Sequence, residues 1–101
     1  MKKTFAQLIQ DDKPVLVDFY ATWCGPCQAL APTLETLAKE YGDALRVIKI
    51  DVDKNPAAAA QYQVRGVPAL LLFKQGRLLW RQAGALPLPA LRQSVDAALK
   101  G

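Results

Sequence analysis

Apolar and polar positions change their period several times along this chain, and each change marks an element. Thr4 to Gln10 carries Phe5, Leu8 and Ile9 at helical spacing and predicts a short helix. Pro14 to Tyr20, PVLVDFY, is β-branched and aromatic with a single charge, as a buried parallel strand reads. From Cys24 to Tyr41 the period lengthens. Cys27, Leu30, Leu34, Leu37 and Tyr41 define the buried face of a long helix, with Glu35, Lys39 and Glu40 mostly opposite. Gly42 offers a stop. Pro32, inside the pattern, removes one backbone hydrogen bond and is expected to kink the helix.

Leu45 to Val52 reads as a second apolar strand. Asn55-Pro56 is a cap followed by a proline at the first helical position, opening an Ala-rich helix to about Tyr62. Gly66-Val67-Pro68 is a turn, and Ala69 to Phe73 is a third strand. Gln75-Gly76 signals a tight hairpin into a fourth strand, Arg77 to Gln82. Pro87 to Leu99 closes the pattern as an amphipathic helix with Leu88, Leu91, Val95 and Leu99 on one stripe. The order is α β α β α β β α. An early βαβ crossover implies parallel pairing and a late hairpin implies an antiparallel edge. The expected fold class is therefore α/β: a mixed central sheet of about four strands with helices on both faces.

Composition narrows the chemistry. A length of 101 residues is that of one domain, 1–101, and 51% apolar content supplies a core without staples. The net charge of +4 is the excess of thirteen scattered Lys and Arg residues over nine Asp and Glu. The longest basic run is Lys2-Lys3, unlike the basic stripe of a nucleic-acid surface, so no nucleic-acid partner is expected. There is no histidine, which removes Ser-His, Cys-His and His-metal arrangements, and two cysteines cannot close a tetrahedral zinc site alone. No metal is expected. Gln7, Gln10, Asp11 and Asp12 break any secretory apolar region behind Lys2-Lys3. The longest apolar run, Ala69 to Phe73, falls far short of the ~20 residues of a membrane span. The expectation is a cytoplasmic protein without a membrane partner, where a cysteine pair is more often catalytic or metal-binding than a permanent staple.

Those two cysteines stand in ATWCGPCQAL, at a strand-to-helix junction. At the start of the long helix Cys24 faces unpaired backbone N–H groups and the positive end of the helix dipole, both of which favour thiolate. Cys27 lies one turn on, within the buried stripe, at a spacing that side-chain rotation can close to a disulfide. Gly25 permits close backbone approach, and Pro26 stiffens the first turn. A redox couple follows: Cys24 attacks a substrate disulfide and Cys27 resolves the mixed disulfide. Packed core thiols are the plainer alternative. Resolution needs a proton acceptor, and Asp18, the lone charge in PVLVDFY, is the candidate because burial raises its proton affinity. Lys49, in VIKI, is its candidate partner; the alternatives are a solvated strand-end carboxylate and a lysine that snorkels to water.

The stretches VDFYATWCGPCQ, KIDVDKNP, RGVPALLLFKQG and QAGAL occur in the order and spacing of thioredoxins, and from about residue 14 onward the chain resembles that family. The resemblance implies a thioredoxin fold and a protein-disulfide reductase. Cys24 is implied as the exposed nucleophile, Cys27 as the resolving thiol, Asp18 as the buried aspartate and Lys49 as its neighbour. Pro68 matches a proline whose preceding bond is cis, leaving the Val67 backbone free to pair with an extended substrate. Trp23, Gly25, Pro26, Gly84 and Ala85 are implied to line the same substrate groove. Disulfide-containing client proteins and a separate thioredoxin reductase are the implied partners of a monomer. No cofactor is expected, because the chain carries no flavin or nicotinamide fingerprint.

The chain also departs from the family pattern. The family's first strand is absent or vestigial, since only Met1-Lys2-Lys3 precedes Thr4. Tyr20 stands where tryptophan is common, Gln28 where lysine is common, and Ala69 where threonine is common. An oxidase or isomerase would usually carry a histidine between the cysteines. A redox-silent binding or chaperone module, or a subunit using the same groove, is the alternative from a different class.

Overall fold

Alternating side chains in three adjacent strands decide this architecture. The computed structural model describes residues 3–100. In chain order its elements are α1 (Phe5–Ile9), β1 (Val15–Tyr20), α2 (Gly25–Tyr41), a 3-10 turn (Gly42–Ala44), β2 (Arg46–Asp51), α3 (Pro56–Gln61), β3 (Ala69–Lys74), β4 (Arg77–Ala83) and α4 (Leu88–Lys100). The sheet runs β2-β1-β3-β4. The α2 crossover makes β1 and β2 parallel, while β3 is antiparallel to β1 and to β4.

Because strand side chains alternate, each face of the sheet receives its own core. Val15, Val17, Phe19, Leu71 and Phe73 pack with Ile9, Ala58 and Ala59, so α1 and α3 cover that face. Phe5 joins them with its ring centroid 5.7 Å from Phe19 and 5.5 Å from Tyr62. Leu16, Leu70 and Leu72 pack on the opposite face with Leu30, Leu34, Leu37, Leu91 and Val95 from α2 and α4. The helical stripes read from the sequence are the ones that are buried.

Local chemistry holds the short pieces. Gln7 N–H donates to Thr4 Oγ1 at 3.2 Å and Thr4 N–H donates to Gln7 Oε1 at 2.9 Å, a capping box on α1. The β3–β4 turn carries positive φ at both Gln75 (53°) and Gly76 (79°), matching the twist of a two-residue hairpin. Its N–H groups also reach α1's exit: Gln75 donates to the Asp11 carbonyl at 3.0 Å and Gly76 to that of Ile9 at 3.1 Å.

Some details differ from the sequence reading. Asn55 precedes α3, but its side chain does not cap that helix. Its Nδ2 donates to the Asp51 carbonyl at 3.0 Å instead, because the loop after β2 folds back on the strand end. The 3-10 turn begins at Gly42, whose φ of 53° ends α2. The fourth strand runs one residue further, to Ala83, and a register shift lies at Leu72/Phe73. Of the stretch expected in place of a first strand, Met1 and Lys2 lie outside the described residues. Among the described residues the sheet has four strands, with β2 at one edge.

Candidate active site

β1 ends at Tyr20, and four residues later the chain enters α2. That junction places both sulfurs. Cys24 is the N-cap of α2 in extended conformation, and its Sγ accepts from the Cys27 N–H at 3.1 Å. An orphan donor of the first turn is thus spent on sulfur. Gly25 and Pro26 fill the first helical positions, where the missing N–H of proline costs nothing. Cys24 and Cys27 are joined as a disulfide, with Cα atoms 5.3 Å apart. They pack with Ala21, Tyr20, Val52 and Val67.

Cys24, expected to be the exposed member, is only 4% exposed, the same as Cys27. Tyr20, Val52 and Val67 pack against this pair, so exposure does not distinguish the two residues. What does distinguish them is position, since Cys24 caps the helix and Cys27 lies within it.

Val67 packs against the pair from a distant part of the chain, immediately before Pro68. The Cys24 Sγ lies 3.7 Å from the Val67 carbonyl oxygen. The Val67–Pro68 peptide bond is cis. Gly84 N–H donates to the Pro68 carbonyl at 2.9 Å, from a backbone with φ of 91° that favours glycine. Trp23 stands 70% exposed beside the sulfurs, yet its ring is held, because Nε1 donates to Asp53 Oδ2 at 2.8 Å.

Three hollows are lined by residues next to the cysteines in the chain or by the segments around Val67 and Ala85. One of about 130 Å³ lies between Trp23, Val52 and Val67. A second of about 260 Å³ is bordered by Val67, Pro68 and Gly84. The third, about 330 Å³, lies between Pro26, Ala85 and Pro87. Trp23, Val67, Pro68 and Gly84 line the first two hollows, which share Val64 to Val67. Pro26 and Ala85 line the third, and Gly25 is exposed at the helix start.

Asp18 is fully buried on β1, and neither carboxylate oxygen has a hydrogen-bonding partner among the described residues. Burial pushes its carboxyl up to about 6, against the opposing pull of the Lys49 charge. Strand alternation puts Asp18 on the sheet face that α2 covers, two residues before Tyr20, which packs on the cysteines. Lys49 is its register partner on β2. The lysine is nevertheless exposed, and its ammonium lies over the Tyr20 ring, 4.5 Å from the centroid. The two charges are neighbours without forming an ion pair.

Asp53 was not singled out from the sequence. Nothing local marks it, because its partner lies thirty residues away in the chain. The loop that presents it is shaped by Asp51, a buried carboxylate whose Oδ1 accepts from the Asp53 N–H at 2.8 Å and the Lys54 N–H at 3.4 Å.

Comparison with known proteins agrees with this geometry. The thioredoxin family profile matches residues 1–97. Thioredoxin 1 of Chlorobaculum tepidum is 48% identical over 100 residues, covering 98% of this chain and 99% of that protein. A thioredoxin of Acidithiobacillus ferridurans is 50% identical over 92 residues, covering 91% of this chain and 85% of that protein. The chloroplastic thioredoxin Y of Oryza sativa is 44% identical over 103 residues, covering 98% of this chain and 61% of that protein.

Proposed function

This chain belongs to the thioredoxin family and is a protein thiol-disulfide oxidoreductase, and from that premise we propose how its residues divide the reaction. Cys24 is the attacking thiolate, Cys27 the resolving thiol, and Asp18 the acceptor of the resolving proton. Lys49 biases Asp18 from the neighbouring strand. Trp23, Gly25, Pro26, Val67, Pro68, Gly84 and Ala85 form the client surface.

In the first step the Cys24 thiolate attacks one sulfur of a client disulfide. A Cys24–client bond forms, the client S–S bond breaks, and the released client thiolate takes up a proton. In the second, Cys27 gives its proton to Asp18 and attacks the Cys24 sulfur. The Cys24–Cys27 disulfide forms and the second client thiolate leaves. Two electrons have passed to the client.

The arrangement carrying this reading is a disulfide spanning a helix start, with the Cys27 N–H on the Cys24 sulfur at 3.1 Å. A donor aimed at that sulfur stabilises it when it is negative, either as nucleophile or as leaving group. The partnerless Asp18 carboxyl, held near neutrality in its proton affinity, suits a group that must accept and later return a proton. The Val67 backbone beside Cys24 suits pairing with an extended client.

Thioredoxins generally work with disulfide-containing proteins and a thioredoxin reductase. In our reading a separate reductase returns the two electrons to this chain, which acts as a monomeric single domain in the reducing cytoplasm.

Dithiol-driven reduction of insulin, followed as turbidity, tests the function. The wild type should accelerate precipitation well beyond Cys24→Ser. Equal rates would favour the redox-silent binding module instead. Cys27→Ser should freeze the mixed disulfide and report clients by mass.

A further inference from the structure

Charge is distributed unevenly around the client surface. The 260 Å³ hollow beside Pro68 and Gly84 is lined by Arg65 and Arg81. Arg65 also borders the hollow next to Trp23. No carboxylate lines either hollow, nor the third one by Pro26. Among the described residues the ion pairs are Arg46–Asp11 and Arg92–Glu40, so Arg65 and Arg81 pair with no carboxylate there.

The two arginines are presented differently. Arg81 Nη1 donates to the Tyr62 carbonyl at 2.9 Å and Nη2 to that of Gln63 at 3.4 Å, which fixes the guanidinium plane. A guanidinium has five N–H donors, so further donors remain for a ligand. Arg65 is exposed and makes no side-chain hydrogen bond among the described residues. Asp53 supplies the opposing charge of this surface, but it lies on the Trp23 side, engaged by the indole and followed by Lys54.

We infer that this chain selects client proteins carrying an acidic side chain close to the reactive cysteine, received by Arg65 and Arg81 beside Val67. The inference rests on the roles proposed above for Cys24 and the Val67 backbone. An extended client paired there sends alternate side chains to the same side, so residues near its cysteine pass over the arginine-lined hollow. Guanidinium groups bind carboxylates as planar forks, and a fixed guanidinium loses less freedom on binding than a mobile lysine would. An acidic client segment gains two cations; a basic one faces two like charges.

The test uses two disulfide peptides identical except for Glu or Lys at the positions two residues before and after the cysteine. Steady-state reduction by the wild type, kept reduced with its dithiol donor, should favour the Glu peptide roughly fivefold in kcat/KM at low salt. Raising the ionic strength should shrink that ratio towards one. Arg65→Gln and Arg81→Gln should each lower it, Arg65→Glu should lower it further, and Arg65→Glu combined with Arg81→Glu should reverse it. Equal rates for both peptides in the wild type would overturn the inference and leave the oxidoreductase reading standing. Reduction of neither peptide would overturn the roles on which the inference depends.

Discussion

Asp18 and Lys49 face one another in register across the β1–β2 ladder, yet the lysine ammonium rests on the Tyr20 ring rather than on the carboxylate. The carboxylate is left buried and partnerless. Ionisation of Asp18 is therefore opposed by desolvation and eased only from a distance by the Lys49 charge.

Stability follows from the sign of that shift. Asp18 has its proton affinity raised on folding, to about 6. Its stabilising contribution is complete below the unfolded carboxyl value and is lost as pH rises through about 6. Asp18→Asn should accordingly stabilise the fold at pH 8 by about 2 to 3 kcal/mol and much less at pH 4. Urea unfolding at both pH values measures this; a gain that does not depend on pH would contradict it.

The same substitution should slow turnover at the second step. Stopped-flow release from a Cys24-linked mixed disulfide should fall at least tenfold in Asp18→Asn, with mixed-disulfide formation changed severalfold less. The wild-type release rate should also lose its inflection near pH 6 in the variant. Unchanged release would remove Asp18 from the mechanism.

Lys49 acts on Asp18 through its charge, and Tyr20 sets where that charge sits. Lys49→Met should raise the Asp18 midpoint, read by carboxyl NMR, because the opposing pull of its charge is removed. Tyr20→Leu should move it in the same direction, whereas Tyr20→Phe, which keeps a ring face under the ammonium, should not. A Tyr20→Leu midpoint equal to the wild type would break the link between the two residues.

The Trp23–Asp53 hydrogen bond spans an exposed surface, so its contribution is to orientation rather than to folding. Asp53→Ala should raise the KM for a protein client about three- to tenfold while kcat changes less than twofold. The thermal midpoint should move by no more than a few degrees. Indole fluorescence anisotropy should fall as the ring is freed, although Trp80 will contribute background.

Much of this was legible in the residue pattern. Helical stripes such as Leu30, Leu34 and Leu37 report burial directly, because each helix hides one face. The unbroken apolar run Leu70 to Phe73 does so because its strand is covered on both faces. The couple at Cys24 and Cys27 was legible for a similar reason: both residues belong to one turn, and their chemistry depends on a local helix start. The cap at Asn55 misled, because its side chain found the Asp51 carbonyl, and a hydrogen-bonding side chain takes whichever acceptor the folded loop offers.

By itself, then, the sequence determined what depends on neighbours along the chain: the elements, their order, the hairpin, and the cysteines at the mouth of α2. Only the tertiary structure decided which distant groups meet. It set the indole of Trp23 on Asp53, the Lys49 ammonium on Tyr20, the Val67 carbonyl beside Cys24, and Arg65 and Arg81 around a hollow with no carboxylate. It also buried the two cysteines equally, against expectation. The physical reason is that these contacts are made through space between strands and loops far apart in the chain. Their partners are chosen by packing and by the β2-β1-β3-β4 order, which no local period encodes.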